Sequence, residues 1–410
     1  MAPENHLRRA ISLPLLTLYG LGTTIGAGIF VLTGKVAGEA GIFAPLSFVV
    51  ASLLAGLAAL SFAEMASRFP ESGGEAVYVK EGLGSDRLAL LTGSLVILAG
   101  LVSTSTIIVG FSGYLDDLTA LPPTAAKIGI TILLGLIAFW GVRESVTVAA
   151  LVTVVEIGVL VVIIGFGVPQ LDVETIEAAA KGQVFDGAAG GSVISGAILA
   201  FYAFIGFEDI VNVAEETRDA TRVVPRAIVL TLIVTCVLYV LVSVIAVSLS
   251  PIAGLAASQA PLTFLFEQIS GLPGETISVI AIFSVLNGAL IQIIMASRVF
   301  YGLSRRGWLP GWLSVVHRRT QTPANAIMVC VVTIAALATL FPLEALARVA
   351  SFITLIIFAL VALALIRLKS VSGDIPPDRF TVPFWLPVLS VALIGLLLAF
   401  EGVRWLGGRI

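Results

Sequence analysis

Charge is scarce. Asp, Glu, Lys and Arg make up 12% of the 410 residues, about half of what a soluble globular domain carries, which excludes a water-soluble enzyme. An excess of one sign is also missing, since 23 Lys and Arg stand against 26 Asp and Glu. No basic surplus is left to hold a nucleic-acid backbone, and nucleic acid is not expected as a partner. Cysteine is rare: Cys236 and Cys330 both lie in apolar stretches, so neither a disulfide framework nor a Cys-rich metal site is expected. The two histidines, His6 and His317, sit among charged and polar residues. A His-ligated metal and an intramembrane histidine base are thereby excluded. No Walker-type loop occurs, which argues against ATP-driven pumping, and no cofactor is expected.

What the chain has in abundance is apolar length. Its mean hydropathy is +1.08, and stretches of about 18 or more apolar residues read as membrane-spanning helices. Eleven are expected, over 11–33, 44–66, 88–115, 125–142, 145–168, 192–213, 226–249, 276–300, 323–341, 349–368 and 383–403. The first is not read as a signal peptide, because it continues past Ile29 and Phe30 and ten further spans follow. With the N-terminus cytoplasmic, 17 basic residues fall on cytoplasmic segments and 6 outside. That asymmetry fixes the expected orientation in a cell membrane. The fold class is an all-α, multi-pass membrane protein with the lipid bilayer as its solvent.

Two spans contain helix breakers. Span 1 carries Gly22-Thr23-Thr24-Ile25-Gly26-Ala27-Gly28-Ile29-Phe30, and glycine disfavours a helix by about 1 kcal/mol relative to alanine. A packing face is the alternative, since Gly22 and Gly26 form a GxxxG pair. Span 6 carries Phe201-Tyr202-Ala203-Phe204-Ile205-Gly206-Phe207-Glu208-Asp209, a glycine and two carboxylates in a mostly apolar segment. The two spans hold corresponding positions in two five-helix halves. Interrupted helices so placed point to an inverted-repeat transporter. Unwinding frees backbone N–H and C=O groups that hydrocarbon cannot satisfy. Freed N–H groups suit a carboxylate and freed C=O groups an ammonium, so a zwitterionic amino acid fits both.

These residues also resemble a known family, the amino acid–polyamine–organocation (APC) permeases. Thr24 to Phe30 is similar to that family's first-helix signature and Phe204 to Glu208 to its sixth. Ala63 to Glu75, Ala296 to Leu303, Gly307 to Pro310 and Thr322 to Ala326 follow the family pattern in order. The resemblance implies a LeuT-like five-plus-five inverted-repeat fold in one transmembrane domain over 1–410. The first repeat would cover 11–168, the second 192–369, and 383–403 would be an additional helix. It also implies a substrate carboxylate on the backbone around Ala27 and Gly28, next to Ile25 and Gly26. The α-amino group would lie near the carbonyls of Thr24, Tyr202 and Ile205, with Tyr202 as an aromatic wall. Gly206 and Glu208 would border the pocket. Family members usually have twelve spans or more, and no twelfth is found after Phe400, so the oligomeric state is left open.

Glu156 stands in the middle of span 5, where a charge costs about 3 kcal/mol. It is either a proton-coupling residue or a permanently protonated structural group. The resemblance places it where some proton-coupled relatives carry a lysine. Asp209 reads more simply as a cap or as facing a water-filled path, and Glu64 with Arg68 as a gate or helix-end ion pair. Ser284, Asn287 and Gln292 read as interhelical hydrogen-bond partners. The implied activity is secondary active amino-acid transport by alternating access, with proton-coupled uptake. Exchange of amino acids or polyamines, sodium-coupled symport and a non-transporting sensor on the same fold stay open. No catalytic residue and no resident metal are expected.

Overall fold

The computed structural model describes residues 11–70, 74–119, 121–140, 146–172, 189–371 and 379–407. Arg8, Arg9, Arg143, Glu144 and the central part of the 169–191 loop lie outside them. In chain order the helices are α1 (Leu13–Ala40), α2 (Ala44–Arg68), α3 (Gly74–Leu83), α4 (Asp86–Leu118), α5 (Pro123–Trp140), α6 (Val146–Gly167) and α7 (Ala189–Tyr202). A 3-10 segment, Phe207–Glu216, follows. Then come α8 (Ala220–Leu249), α9 (Ile252–Ala257), α10 (Pro261–Ser270), α11 (Glu275–Arg305), α12 (Ala324–Leu340), α13 (Leu343–Val371) and α14 (Trp385–Gly407). Among the described residues there is no β-strand, only an isolated bridge between Ile11 and Thr217.

Eight apolar stretches among the described residues are long enough to cross a bilayer. The first, Gly28–Arg68, is divided by the turn Gly41–Phe43 into the second half of α1 and all of α2. With the shorter apolar helices Leu13–Gly26, Ala324–Leu340 and Trp385–Phe400, a helix stands at each of the eleven expected spans. The connecting helices α3, α9 and α10 were not anticipated, because they are short and mixed in character.

Local chemistry explains the boundaries. Proline occupies the first turn of α1, α2 and α10, where its missing N–H has no helical partner to lose. Gly271 ends α10 in the left-handed region at φ 67°, a conformation that glycine adopts without a Cβ penalty. α2 lies along α8, α11 along α4, and α1 against α6, α7 and α8. α1 is thus at the centre of the bundle. α6 shows how the membrane sorts side chains: Leu151, Val154, Val155, Val161 and Val162 are exposed. Thr153, Glu156, Leu160 and Ile163, spaced three or four apart, are buried. Glu156 therefore faces protein, as an intramembrane acid must.

A candidate substrate cavity between two helix breaks

Both expected interruptions are present. α1 leaves helical geometry at Gly26 (φ −32°, ψ −127°). α7 stops at Tyr202, the chain turns through Ala203–Gly206, and Gly206 at φ 121° precedes the 3-10 segment. The breaks touch. A Cβ on Gly28 would lie 2.3 Å from Ala203 Cα, and one on Gly206 would lie 2.3 Å from the Thr23 carbonyl oxygen. Each glycine thus permits a backbone-to-backbone approach that a side chain would block. The requirement for a small residue at Gly28 therefore has a packing cause.

The backbone groups released by the breaks find partners. Tyr239 Oη of α8 lies 2.9 Å from Thr24 O and 3.0 Å from Ala203 O, so one phenol serves a freed carbonyl from each break. Thr23 Oγ1 is 2.9 Å from Gly206 O and 3.0 Å from Gly20 O, and Thr24 Oγ1 donates to Gly20 O at 2.7 Å. Glu208 Oε2 accepts from Gly206 N at 2.8 Å, a carboxylate on a released N–H. Tyr239 is the component that sequence reasoning missed. Its signal was a tyrosine in the middle of an apolar span, where the hydroxyl needs a partner.

A cavity opens between the breaks, walled by Thr23, Thr24, Gly26 and Gly28 of α1 and by Tyr202 and Ile205. α4 adds Ser103 and Ile107, and α11 adds Gly288, Ile291 and Gln292. Gly26 and Gly288 leave it open: nothing lies within 4 Å of a Cβ on Gly26, and only Ile107 Cδ1, at 3.8 Å, meets one on Gly288. Tyr202 Oη is fixed at 3.0 Å from both the hydroxyl and the carbonyl of Ser103. A second cavity shares Ser103, Ile205, Asp209 and Gln292 and continues to Glu75, Glu208 and Phe358. The path thus runs from the breaks toward the end of the bundle that carries α3. Burial raises the Glu75 carboxyl above its ordinary range, an effect partly offset by a backbone hydrogen bond.

The expected site residues separate into groups. Thr24, Gly26, Gly28, Tyr202 and Ile205 line the first cavity. Ile25 is wholly buried in the core, Gly206 packs on Thr23, and the side chain of Ala27 lies outside the described residues. Glu208 lines only the second cavity, whereas Asp209 lines both. Glu156 borders neither. It is 1% exposed, and neither carboxylate oxygen has a hydrogen-bond partner among the described residues. Ser284 of α11 is its polar neighbour, though among the described residues no hydrogen bond of standard geometry joins the two. Among the described residues Gln292 Oε1 has no partner either, so neither it nor Ser284 Oγ makes the expected interhelical bond there.

The two ends of the bundle are closed differently. Toward α3, Glu64 is fully buried, accepts from Arg68 Nε at 3.0 Å and from Val382 N at 2.8 Å, and pairs with Lys369 Nζ at 2.8 Å. At the opposite end, Lys35 of α1 pairs with Glu344 of α13 at 3.1 Å and donates to Ala256 O of α9 at 3.0 Å. Glu39 pairs with Arg348 at 3.3 Å. These outer pairs are partly exposed and worth about 0–1 kcal/mol each. Removing one partner of the buried Glu64 cluster would cost about 3–5 kcal/mol. The α1–α13 contact is therefore the weaker of the two.

Comparison with known proteins agrees with this architecture. The model of the "Amino acid permease" family matches residues 11–403. The chain is 33% identical to the branched-chain amino acid permease BcaP of Bacillus subtilis, over 98% of this chain and 90% of that protein. It is 30% identical to the mitochondrial cationic amino acid transporter 3 of Arabidopsis thaliana, over 96% of this chain and 67% of that one. It is also 30% identical to the methylthioribose transporter of Bacillus subtilis, over 98% and 91%. The family match spans both helix breaks and every helix that walls the cavities, and the chain belongs to the amino acid permease family of the APC superfamily.

Proposed function

We propose that this protein is a secondary active transporter of amino acids in the cell membrane, working by alternating access with its N-terminus in the cytoplasm. The observation that carries this reading is the cavity between two touching helix breaks. There, backbone polarity suits a zwitterion, while Ile107, Ile205 and Ile291 offer an apolar wall. A small aliphatic amino acid is the substrate class those walls favour. A cationic substrate is the second reading, favoured by Asp209, an acidic residue that lines both cavities. The corresponding placement of the breaks supports two five-helix repeats, over 11–168 and 192–369, with 383–403 added. The weak α1–α13 ion pairs supply a closure that rocking of one repeat can open.

Uptake is coupled to protons, and Glu156 is the coupling group. Its buried, unpartnered carboxyl beside Ser284 supports this role, since ionisation there would be costly unless compensated. Sodium coupling is the rival, because the same oxygens could ligate a cation. Proteoliposomes separate them. Wild type should accumulate labelled leucine under an inward proton gradient without sodium. Glu156→Gln, which mimics the protonated form, should still exchange leucine while failing to accumulate it. Dependence of wild-type uptake on sodium at fixed pH would favour the rival. Normal accumulation by Glu156→Gln under the pH gradient would make Glu156 structural.

A further inference from the structure

The largest of the bundle's described cavities lies away from the substrate path. It is bounded by α5, α11, the 316–323 loop and the start of α12. Its floor is apolar, with Ala138, Ile294 and Ile327, and its rim is polar, with Arg298, Tyr301 and Thr320. The rim is held in shape: Thr322 Oγ1 donates to Phe139 O at 2.8 Å and lies 2.7 Å from Thr320 Oγ1. Gln321 is held at φ 58°, and its amide donates to Arg318 O at 3.0 Å.

Basic side chains gather around this cavity. Between Glu275 and Glu344 the sequence has no acidic residue, while Arg298, Arg305, Arg306, Arg318 and Arg319 all fall there. All five are exposed. None forms an ion pair with a carboxylate among the described residues. Arg305 and Arg306 instead lie over the rings of Tyr301 and Trp308, at 5.8 and 5.5 Å from the centroids. Beside them Trp312, Val315 and Val316 are exposed at 48%, 55% and 37%. Arginine interleaved with exposed tryptophan and aliphatic side chains, at the end of a membrane helix, is the composition of a segment lying in the lipid headgroup layer.

We infer that this cavity binds the headgroup of an anionic phospholipid. The Arg298 guanidinium and the Tyr301 and Thr320 hydroxyls would take the phosphate, while Ile294 and Ile327 receive the start of an acyl chain. The guanidinium fork suits phosphate oxygens. Basic pockets between membrane helices are a recognised type of anionic-lipid site. The amphipathic shape separates this occupant from a soluble anion, which would have no use for the apolar floor.

Native mass spectrometry of the intact detergent-purified protein, titrated with dioleoylphosphatidylglycerol or dioleoylphosphatidylcholine, tests the proposal. Wild type should retain the anionic lipid in preference, and Arg298→Gln should weaken its apparent affinity about five-fold. Arg87→Gln, an exposed basic residue in the first turn of α4, should not. Thr320→Val provides a second, uncharged probe of the same rim and should also weaken retention. Equal retention of the two lipids, or equal losses from Arg298→Gln and Arg87→Gln, would overturn the site. Inorganic phosphate that displaces the lipid and protects the protein from heat equally well would identify a soluble anion as the occupant and overturn the lipid assignment.

Discussion

Tyr239 and Gly206 show what single residues contribute at the breaks. One hydroxyl meets a released carbonyl from each interrupted helix, and leaving a buried acceptor unpaired costs about 1–3 kcal/mol. Tyr239→Phe should therefore lower the thermal unfolding midpoint measurably while altering no cavity wall. Gly206→Ala should do more harm. Its φ of 121° alone costs a side-chain-bearing residue about 1–3 kcal/mol, and the new Cβ would meet Thr23 O at 2.3 Å. Unfolding scans in one detergent check both, and an unchanged midpoint for either contradicts the packing of the breaks. Glu75 gives a pH signature. Burial raises its carboxyl above the ordinary 4.5, so the folded state keeps a proton that the unfolded chain releases. Its contribution is full below that ordinary value and is lost as pH rises through the raised one. Wild type should lose stability relative to Glu75→Gln as pH increases, and a constant difference across pH would refute this. The glycines were legible in the sequence because each one breaks a local rule. Tyr239 was not, because its partners lie 36 and 215 positions away along the chain.

At the scale of helices, the question is which contacts hold and which can yield. Glu64 joins α2 to α13 and to the segment before α14, and Ser67 strengthens that join by accepting from Phe380 N at 2.9 Å. Glu64→Gln should cost about 3–5 kcal/mol, whereas Lys35→Ala should cost less than about 1 kcal/mol. Thermal scans of the two variants check the ranking, and similar losses would contradict a fixed end and a yielding end. The sequence showed Arg68 as the i+4 neighbour of Glu64. It could not show Lys369 or Val382, which only the tertiary fold brings near. The carboxylates of the sixth span follow the same pattern. Their presence was plain in the sequence, but which one reaches both cavities depends on how the chain turns after Gly206, and that is set by its contact with Thr23.

For the whole molecule, a helix stands at each of the eleven stretches that hydropathy marks, because a bilayer imposes length and apolarity on what crosses it. The cavity was less legible. Its break residues could be named from glycine and carboxylate placement, but Ser103, Ile107 and Gly288 come from helices with no local irregularity to mark them. Gly288 offers the most direct test of the claim that substrate rests between the breaks. It sits in regular helix, and a Cβ there meets only Ile107 Cδ1 at 3.8 Å, so a larger side chain fills the cavity without disturbing either break. Replacing glycine within a helix also favours folding by up to about 1 kcal/mol. The measurement is labelled-leucine binding by purified Gly288→Leu beside wild type, with the unfolding midpoint of each recorded. The account predicts that the variant melts at or above the wild-type temperature and has lost binding. A well-folded Gly288→Leu that binds leucine like wild type would contradict it.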